Sequence, residues 1–261
     1  MPVDPPVRPE RWKAGRSQIC WHRTVTATEG NCISLDAPLT TALDPEFGGA
    51  GIKVLRAGGP ISFAGIEHLS LESEFAHPKD EDHCWNALSF QNARDCWVRQ
   101  VSFSGFAGSA VAVYDGSRRI TVEDCISTGP ASEIAGERRN SFFTSGEQVL
   151  FQRCWSEEGC HDFSTGNFTP GPVAFVQCET KNSHSFSGCI DRWASGVLFD
   201  LVWIDGKSLS LKNLGYRKRG AGWSAGNSML WQSQAARIEC WSPPTAKNQA
   251  YGTWGQFDGN G

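Results

Sequence analysis

Residues 149–156 read VLFQRCWS, residues 173–180 read VAFVQCET, and residues 197–204 read VLFDLVWI. The same apolar positions return at a step of 24 residues. Within each stretch the first and third residues are apolar, the two-residue period of a strand with one buried face. The next apolar residue comes three places later, so the phase changes and the strand bends there. Taking the central apolar residue as an anchor extends the series to Ile66, Val98, Val122, Phe151, Phe175, Phe199 and Trp231, with spacings of 32, 24, 29, 24, 24 and 32 residues. Two places before the anchors stand Ala64, Cys96, Ile120, Val149, Val173, Val197 and Met229. Three places after them stand Leu69, Val101, Cys125, Cys154, Cys178, Val202 and Gln234, the last of which breaks the series.

Short strands repeated at such a step mark a solenoid. The 3.6-residue pattern of helical repeats is absent, as is the Leu-x-x-Leu-x-Leu frame of leucine-rich repeats. The expected fold is all-β, a right-handed parallel β-helix in which each coil adds short strands to its neighbours about 4.8 Å away. Steps above 24 residues are coils with loop insertions. The whole chain, residues 1–261, is expected to form one domain, with regular coils over about residues 20–242 and the ends as caps or extensions. On this periodicity the sequence resembles the pectate-lyase-like superfamily of parallel β-helix proteins. The resemblance implies action on polysaccharides; both glycoside hydrolysis and lyase chemistry occur on that scaffold, so it does not choose between them.

Composition narrows the function classes. Hydrophobic residues make up 39% of the chain and charged ones 20%, enough apolar content for a core and too little charge for a disordered chain. The net charge of -4 argues against a nucleic-acid partner, which calls for a basic stripe. No apolar run approaches the roughly 20 residues of a membrane helix, so no membrane partner is expected. The opening MPVDPPVRPERWKAGR has no apolar signal segment; the protein is expected to be secreted or periplasmic, with any signal removed, and monomeric.

Ten cysteines invite a disulfide reading, yet Cys125, Cys154 and Cys178 share one inward rung. Parallel, in-register strands point these side chains the same way, which suits stacked free thiols better than a bridge. Cys20, Cys32, Cys84, Cys160, Cys189 and Cys240 lie off this rung, and a bridge among them stays open. No pair has C-x-x-C spacing, so no metal site is assigned. The run DEDH at residues 80–83 resembles a fragment of a calcium loop without its spacing, and no cofactor is predicted. The basic GYRKRGAGW near residue 219 reads as an ordered loop.

A β-helix interior is filled, so a ligand binds outside it. Thirteen residues before the anchors Val98, Phe151 and Phe175 stand Trp85, Arg138 and Asp162, next to the inserted segments at residues 76–86 and 129–140. Asp162, His161 and Glu133 are therefore the candidate catalytic groups: a carboxylate with a histidine or second carboxylate performs acid–base chemistry, and glycoside hydrolysis needs two carboxyl groups. Arg138 and Arg139 are candidates to hold a sugar carboxylate through paired hydrogen bonds. His184, Trp85 and Trp193 complete the expected substrate contacts, the indoles by stacking on sugar rings. Trp97, Trp155 and Trp203 sit beside inward rungs, so their rings face outward or lie under loops. The expected function is cleavage of a polysaccharide containing acidic sugars, by a hydrolase or a lyase; the alternative is a non-catalytic carbohydrate-binding module. A structural adhesion or tail-fibre segment is disfavoured because no regular outward apolar column is evident.

Overall fold

The computed structural model describes residues 17–55, 59–216 and 221–261. The expected features at residues 1–16 and 217–220 lie outside these. Twenty strands join in one sheet in which every pairing is parallel, and its interleaved order is that of a parallel β-helix. Each strand pairs with the equivalent strand one coil away. Phe151 in Glu147–Gln152 is in register with Val122 on one side and Phe175 on the other, and Phe175 is in register with Phe199. Val98, Val122, Phe151, Phe175 and Phe199 are all fully buried. The Phe151, Phe175 and Phe199 rings stack face to face with centroids 4.9 Å apart.

The bend read from the phase change is a single residue in the left-handed backbone region, two places after each anchor. His68, Gln100, Asp124, Arg153, Gln177, Leu201 and Gln232 all have φ between 44° and 58°. This conformation costs a non-glycine residue about 1–2 kcal/mol. Stacking offsets it, because the amides of Asp124, Arg153, Gln177, Leu201 and Gln232 each find a carbonyl on the next coil. Arg153 donates to Val176 at 2.9 Å, Gln177 to Asp200 at 2.8 Å and Leu201 to Trp231 at 3.0 Å. Two further corners recur, three places before the anchor (Phe63, Asp95, Arg119, Gln148, Asn227) and seven after it (Glu158, Asn182). Each coil is thus a three-sided turn. Corner side chains pair along the axis: Arg119 with Asp95 and Arg153 with Asp124, both bidentate. Half in solvent, each such pair contributes at most about 1 kcal/mol.

Two expectations shift. The coils run from Ile61 to Gly259 rather than over residues 20–242; Val25–Glu29 and Cys32–Leu35 form a separate antiparallel hairpin. The anchor after Phe199 is Leu230, not Trp231, because Phe199 pairs with Leu230. Trp231 instead faces outward and stacks on Tyr251 at 5.1 Å. Moving the anchor back by one repairs the series: the residue three places on becomes Ser233, 1% exposed, rather than Gln234.

Ser233 also explains the cysteine rung. Cys154 directs its thiol to the Val122 carbonyl at 3.6 Å and Cys178 to that of Phe151 at 3.6 Å. Ser233 Oγ donates to the equivalent carbonyl, Phe199, at 3.1 Å. The rung therefore offers an acceptor to any small donor. Cys154→Ser is expected to cost less than about 1 kcal/mol in urea unfolding, since the buried hydroxyl has its partner in place; a loss above about 2 kcal/mol would show that the bond does not form there. All ten cysteines are free, with Cys20, Cys32 and Cys84 exposed and the other seven buried. Burial pushes the Cys154 thiol well up, Cys189 to about 12 and Cys240 to about 11. Native protein should accordingly expose three thiols to a thiol reagent at neutral pH and unfolded protein all ten.

Candidate functional site

The two inserted segments meet across the coil between them. Arg138 makes a bidentate pair with Glu81, with Nη2 to Oε2 at 2.8 Å, and its guanidinium lies over the Trp85 ring at 5.3 Å. This hydrogen-bonded guanidinium holds the Glu81 carboxyl below the usual carboxylate range. Glu133 pairs with Lys79 at 3.1 Å at an exposed edge. His83 bridges the segments from Ser73 Oγ (2.8 Å) to the Ala131 carbonyl (2.8 Å). Glu81 thus links the Glu133 amide and Arg138, which lies over Trp85, and Arg138 is already engaged by a carboxylate of the protein.

The deeper candidates hold a coil corner. Arg139, 6% exposed, bonds Ser132 through its hydroxyl (3.2 Å) and carbonyl (2.7 Å). Desolvation pulls its pKa below arginine's ordinary value. The Arg139 carbonyl receives the amides of Cys160 and His161. His161, 6% exposed, places Nδ1 2.6 Å from the Phe186 carbonyl and sets its ring edge-on to Phe186 at 4.8 Å. Asp162 is fully buried; Oδ1 accepts from Ser156 Oγ at 2.6 Å and Oδ2 from Ser183 Oγ at 2.7 Å. Burial raises its pKa against these hydrogen bonds. A Cβ on Gly159 would come within 2.0 Å of the same carboxylate, so glycine is needed for this close approach. His184 is half-buried, its amide bonded to the Gly159 carbonyl. These are the surroundings of a corner clamp: Asp162 ties the second side of the coil to the third, and no face of it meets solvent.

Trp193 lies elsewhere. It sits between the third side and the next anchor, with its amide bonded to the Trp223 carbonyl and its ring under Gly226. Counting back from an anchor crosses this corner, whose length varies: Phe163 lies 12 residues before Phe175, but Phe142 lies 9 before Phe151, although Phe142 and Phe163 are in register. The structural partner of Asp162 in the preceding coil is thus Ser141, not Arg138.

The same corner carries an open cleft of about 580 Å³. One wall is the second insertion, with Glu137 and Asn140; the other is the N-terminal arm, with Gln18, Cys20 and His22. Between them lie Tyr114, Asp115, Phe143, Asn167, Phe168 and Asp191. Asp115, Gly146, Asn167 and Asp191 come from successive coils, each two residues past the end of a third-side strand whose register is fixed by Val113, Thr144, Thr165 and Cys189. The cleft therefore runs along the helix axis. Asn140 Oδ1 is buried without a hydrogen-bond partner, and neither Asp115 nor Glu137 makes a side-chain hydrogen bond or ion pair among the described residues. No lysine or arginine among the described residues lines it. The signal in the sequence was the second insertion, which borders this cleft with Glu137 and Asn140 while its neighbour Arg139 turns inward. No three or more His, Cys, Asp or Glu side chains among the described residues are grouped so as to hold a metal ion. Comparison with protein-family models, with curated proteins and with solved structures gives no match to this chain.

Proposed function

We propose that this chain is a carbohydrate-active β-helix protein, akin to the pectate-lyase-like superfamily, which takes a polysaccharide chain along the axial cleft. The supporting observation is the cleft's content: an unpaired buried amide oxygen (Asn140), free carboxylates (Asp115, Glu137) and aromatic surfaces (Tyr114, Phe143). Hydroxyl groups satisfy the first two and sugar faces the third. The charge of the cleft favours an uncharged glycan over a uronate, since among the described residues its lining holds four carboxylates against one histidine, and Arg138 and Arg139 are committed within the protein.

Cleavage would use these carboxylates. Asp115 and Asp191 stand three coils apart, roughly 14 Å at the strand spacing, beyond the 5–9.5 Å or so of a glycosidase pair. Glu137, which lines the same cleft from the insertion, is the carboxylate we assign as the partner of Asp115. The Asp115–Asp191 separation equally favours the second reading, a module that binds without cleaving. A panel of defined polysaccharides, assayed for reducing ends, for unsaturated products and by calorimetry, separates the two. Asp115→Asn and Glu137→Gln should each weaken binding or turnover at least tenfold with the melting temperature unchanged. Retained binding without new ends identifies the module; no binding to any glycan of the panel sinks both readings.

A further inference from the structure

The outer surface of the second side carries a column that neither the cleft nor the interior uses, which corrects the expectation that the chain has no regular outward apolar column. Ile126, Trp155, Glu179, Trp203, Gln234 and Trp254 stand in register on successive coils. Indole rings thus recur at every second coil, about 9.6 Å apart at the strand spacing, with a hydrogen-bonding carboxylate or amide between each pair. Trp203 is 51% exposed and Trp254 76%, while Trp155 is half-buried. None of the three indole N–H groups has a hydrogen-bond partner among the described residues, and Glu179 has no ion pair among them. The positive charges nearby are neutralised: Lys181 by Glu157 at 3.7 Å, Arg153 by Asp124 at 2.6 Å.

We propose that this column is a docking surface for an extended, uncharged, β-1,4-linked glycan, lying along the helix axis and distinct from the cleft. This rests on the reading of the chain as a polysaccharide-acting protein and adds to it a second site and a linkage class. The argument is complementarity in spacing and in charge. In an extended β-1,4-linked chain alternate sugars present the same face, and the disaccharide repeat is of the same order as two coil steps, so each ring meets the same face of every second sugar. The intervening Glu179 and Gln234 then meet the hydroxyl edge of the sugar between. A helical α-linked glycan does not keep this register. A polyanion is disfavoured, because the one unpaired charge within the column is the Glu179 carboxylate. Scattered single hydrophobic residues are ordinary on a protein surface; three tryptophans held at one phase by strand register are not scattered.

The test uses the whole chain in a partition assay with amorphous cellulose and insoluble β-mannan, with starch and polygalacturonate as the α-linked and anionic controls. The unmodified chain should partition onto at least one of the β-1,4-linked polymers and onto neither control. Trp203→Ala with Trp254→Ala should lower that partition at least tenfold and leave the melting temperature unchanged, since both rings stand largely in solvent. Tyr216→Ala, an exposed aromatic (84%) outside both the column and the cleft, should leave partition intact. Equal partition of the double variant overturns the column while the function proposed above stands. Loss of partition in the double variant, with Asp115→Asn and Glu137→Gln leaving both turnover and binding of soluble oligosaccharides unchanged, does the reverse. If the double variant instead converts a dimer to a monomer in light scattering, the occupant is a second copy of this chain and the proposal fails.

Discussion

Phe175→Ala is expected to destabilise the fold by about 3–5 kcal/mol, at the upper end of core truncations. Phe175 is fully buried between the Phe151 and Phe199 rings, with interplanar angles of 5° and 9°, and a fourth ring, Phe163, tilts against it at 6.0 Å. Removing it deletes two stacked contacts, each of which adds about 0.5–1.5 kcal/mol beyond burial. The void has little means of closing. The backbones above and below are fixed at the strand spacing by ladder hydrogen bonds and by corners that admit one conformation, so neighbours relax only partly. Phe175→Leu, which retains most of the volume, should cost about 1.5 kcal/mol or less, and the chain itself places Leu230 in this rung. Equilibrium urea unfolding reads both. In a solenoid each coil is stabilised mainly by its two neighbours, so the loss should appear as a lower midpoint, with a shallower slope only if the stack splits at this coil. A loss below about 1 kcal/mol would mean that the phenylalanine rung is not the main contact between these coils.

The interior of the fold was legible because it is periodic in sequence and in space together. Val149, Phe151 and Cys154 recur at one step, and one left-handed residue per coil turns the chain between the second and third of them. The corner itself was legible only as a change of phase, since His68, Asp124, Arg153 and Leu201 share a conformation but no chemistry. What unites them is an amide satisfied by the next coil, which no side chain reports. Trp231 misled for a related reason: tryptophan beside leucine reads as the larger core residue, and only register distinguishes the two. The candidate site was less legible. Polar residues next to insertions were read as a reactive column, yet a coil corner also needs buried acceptors, and Asp162 answers that need through Ser156 and Ser183. The cleft's own residues, Asp115 and Asp191, stand at ordinary turn positions with no motif around them. Their alignment comes from stacking, and the arm that forms the far wall is more than ninety residues away in sequence.

That arm supplies the second large effect. Glu147, 2% exposed, stands at the start of the strand Glu147–Gln152 and faces the arm rather than the interior. Its carboxylate accepts the His22 amide at 3.0 Å, approaches His22 Nδ1 at 2.6 Å and accepts Arg23 Nη1 at 2.5 Å. Arg23, 3% exposed, also donates to the Pro38 carbonyl at 2.8 Å and to Gly171 at 3.1 Å. Trp21 and Thr40 both donate to Pro170, each at 2.6 Å. Arg23→Ala leaves a buried carboxylate without its strongest partner, a loss of about 3–5 kcal/mol where the structure cannot relax. Here it can, because opening the arm readmits water to Glu147. The cost should therefore fall on docking of the arm rather than on the coils. Hydrogen exchange at the His22 amide is expected to quicken roughly 10² to 4 × 10³-fold, the same free energy expressed as an opening equilibrium. Thermal unfolding of the coils should move far less. Glu147→Gln keeps the shape and one acceptor but loses the charge, and should fall between the two at about 1–2 kcal/mol. Because Gln18, Cys20 and His22 wall the cleft, a glycan bound there should slow the exchange in the unmodified chain and lose affinity in Arg23→Ala in proportion to the open fraction. Unchanged exchange at His22 in both variants would show that the pair does not hold the arm, and the cleft would then owe its wall to Trp21 and Thr40.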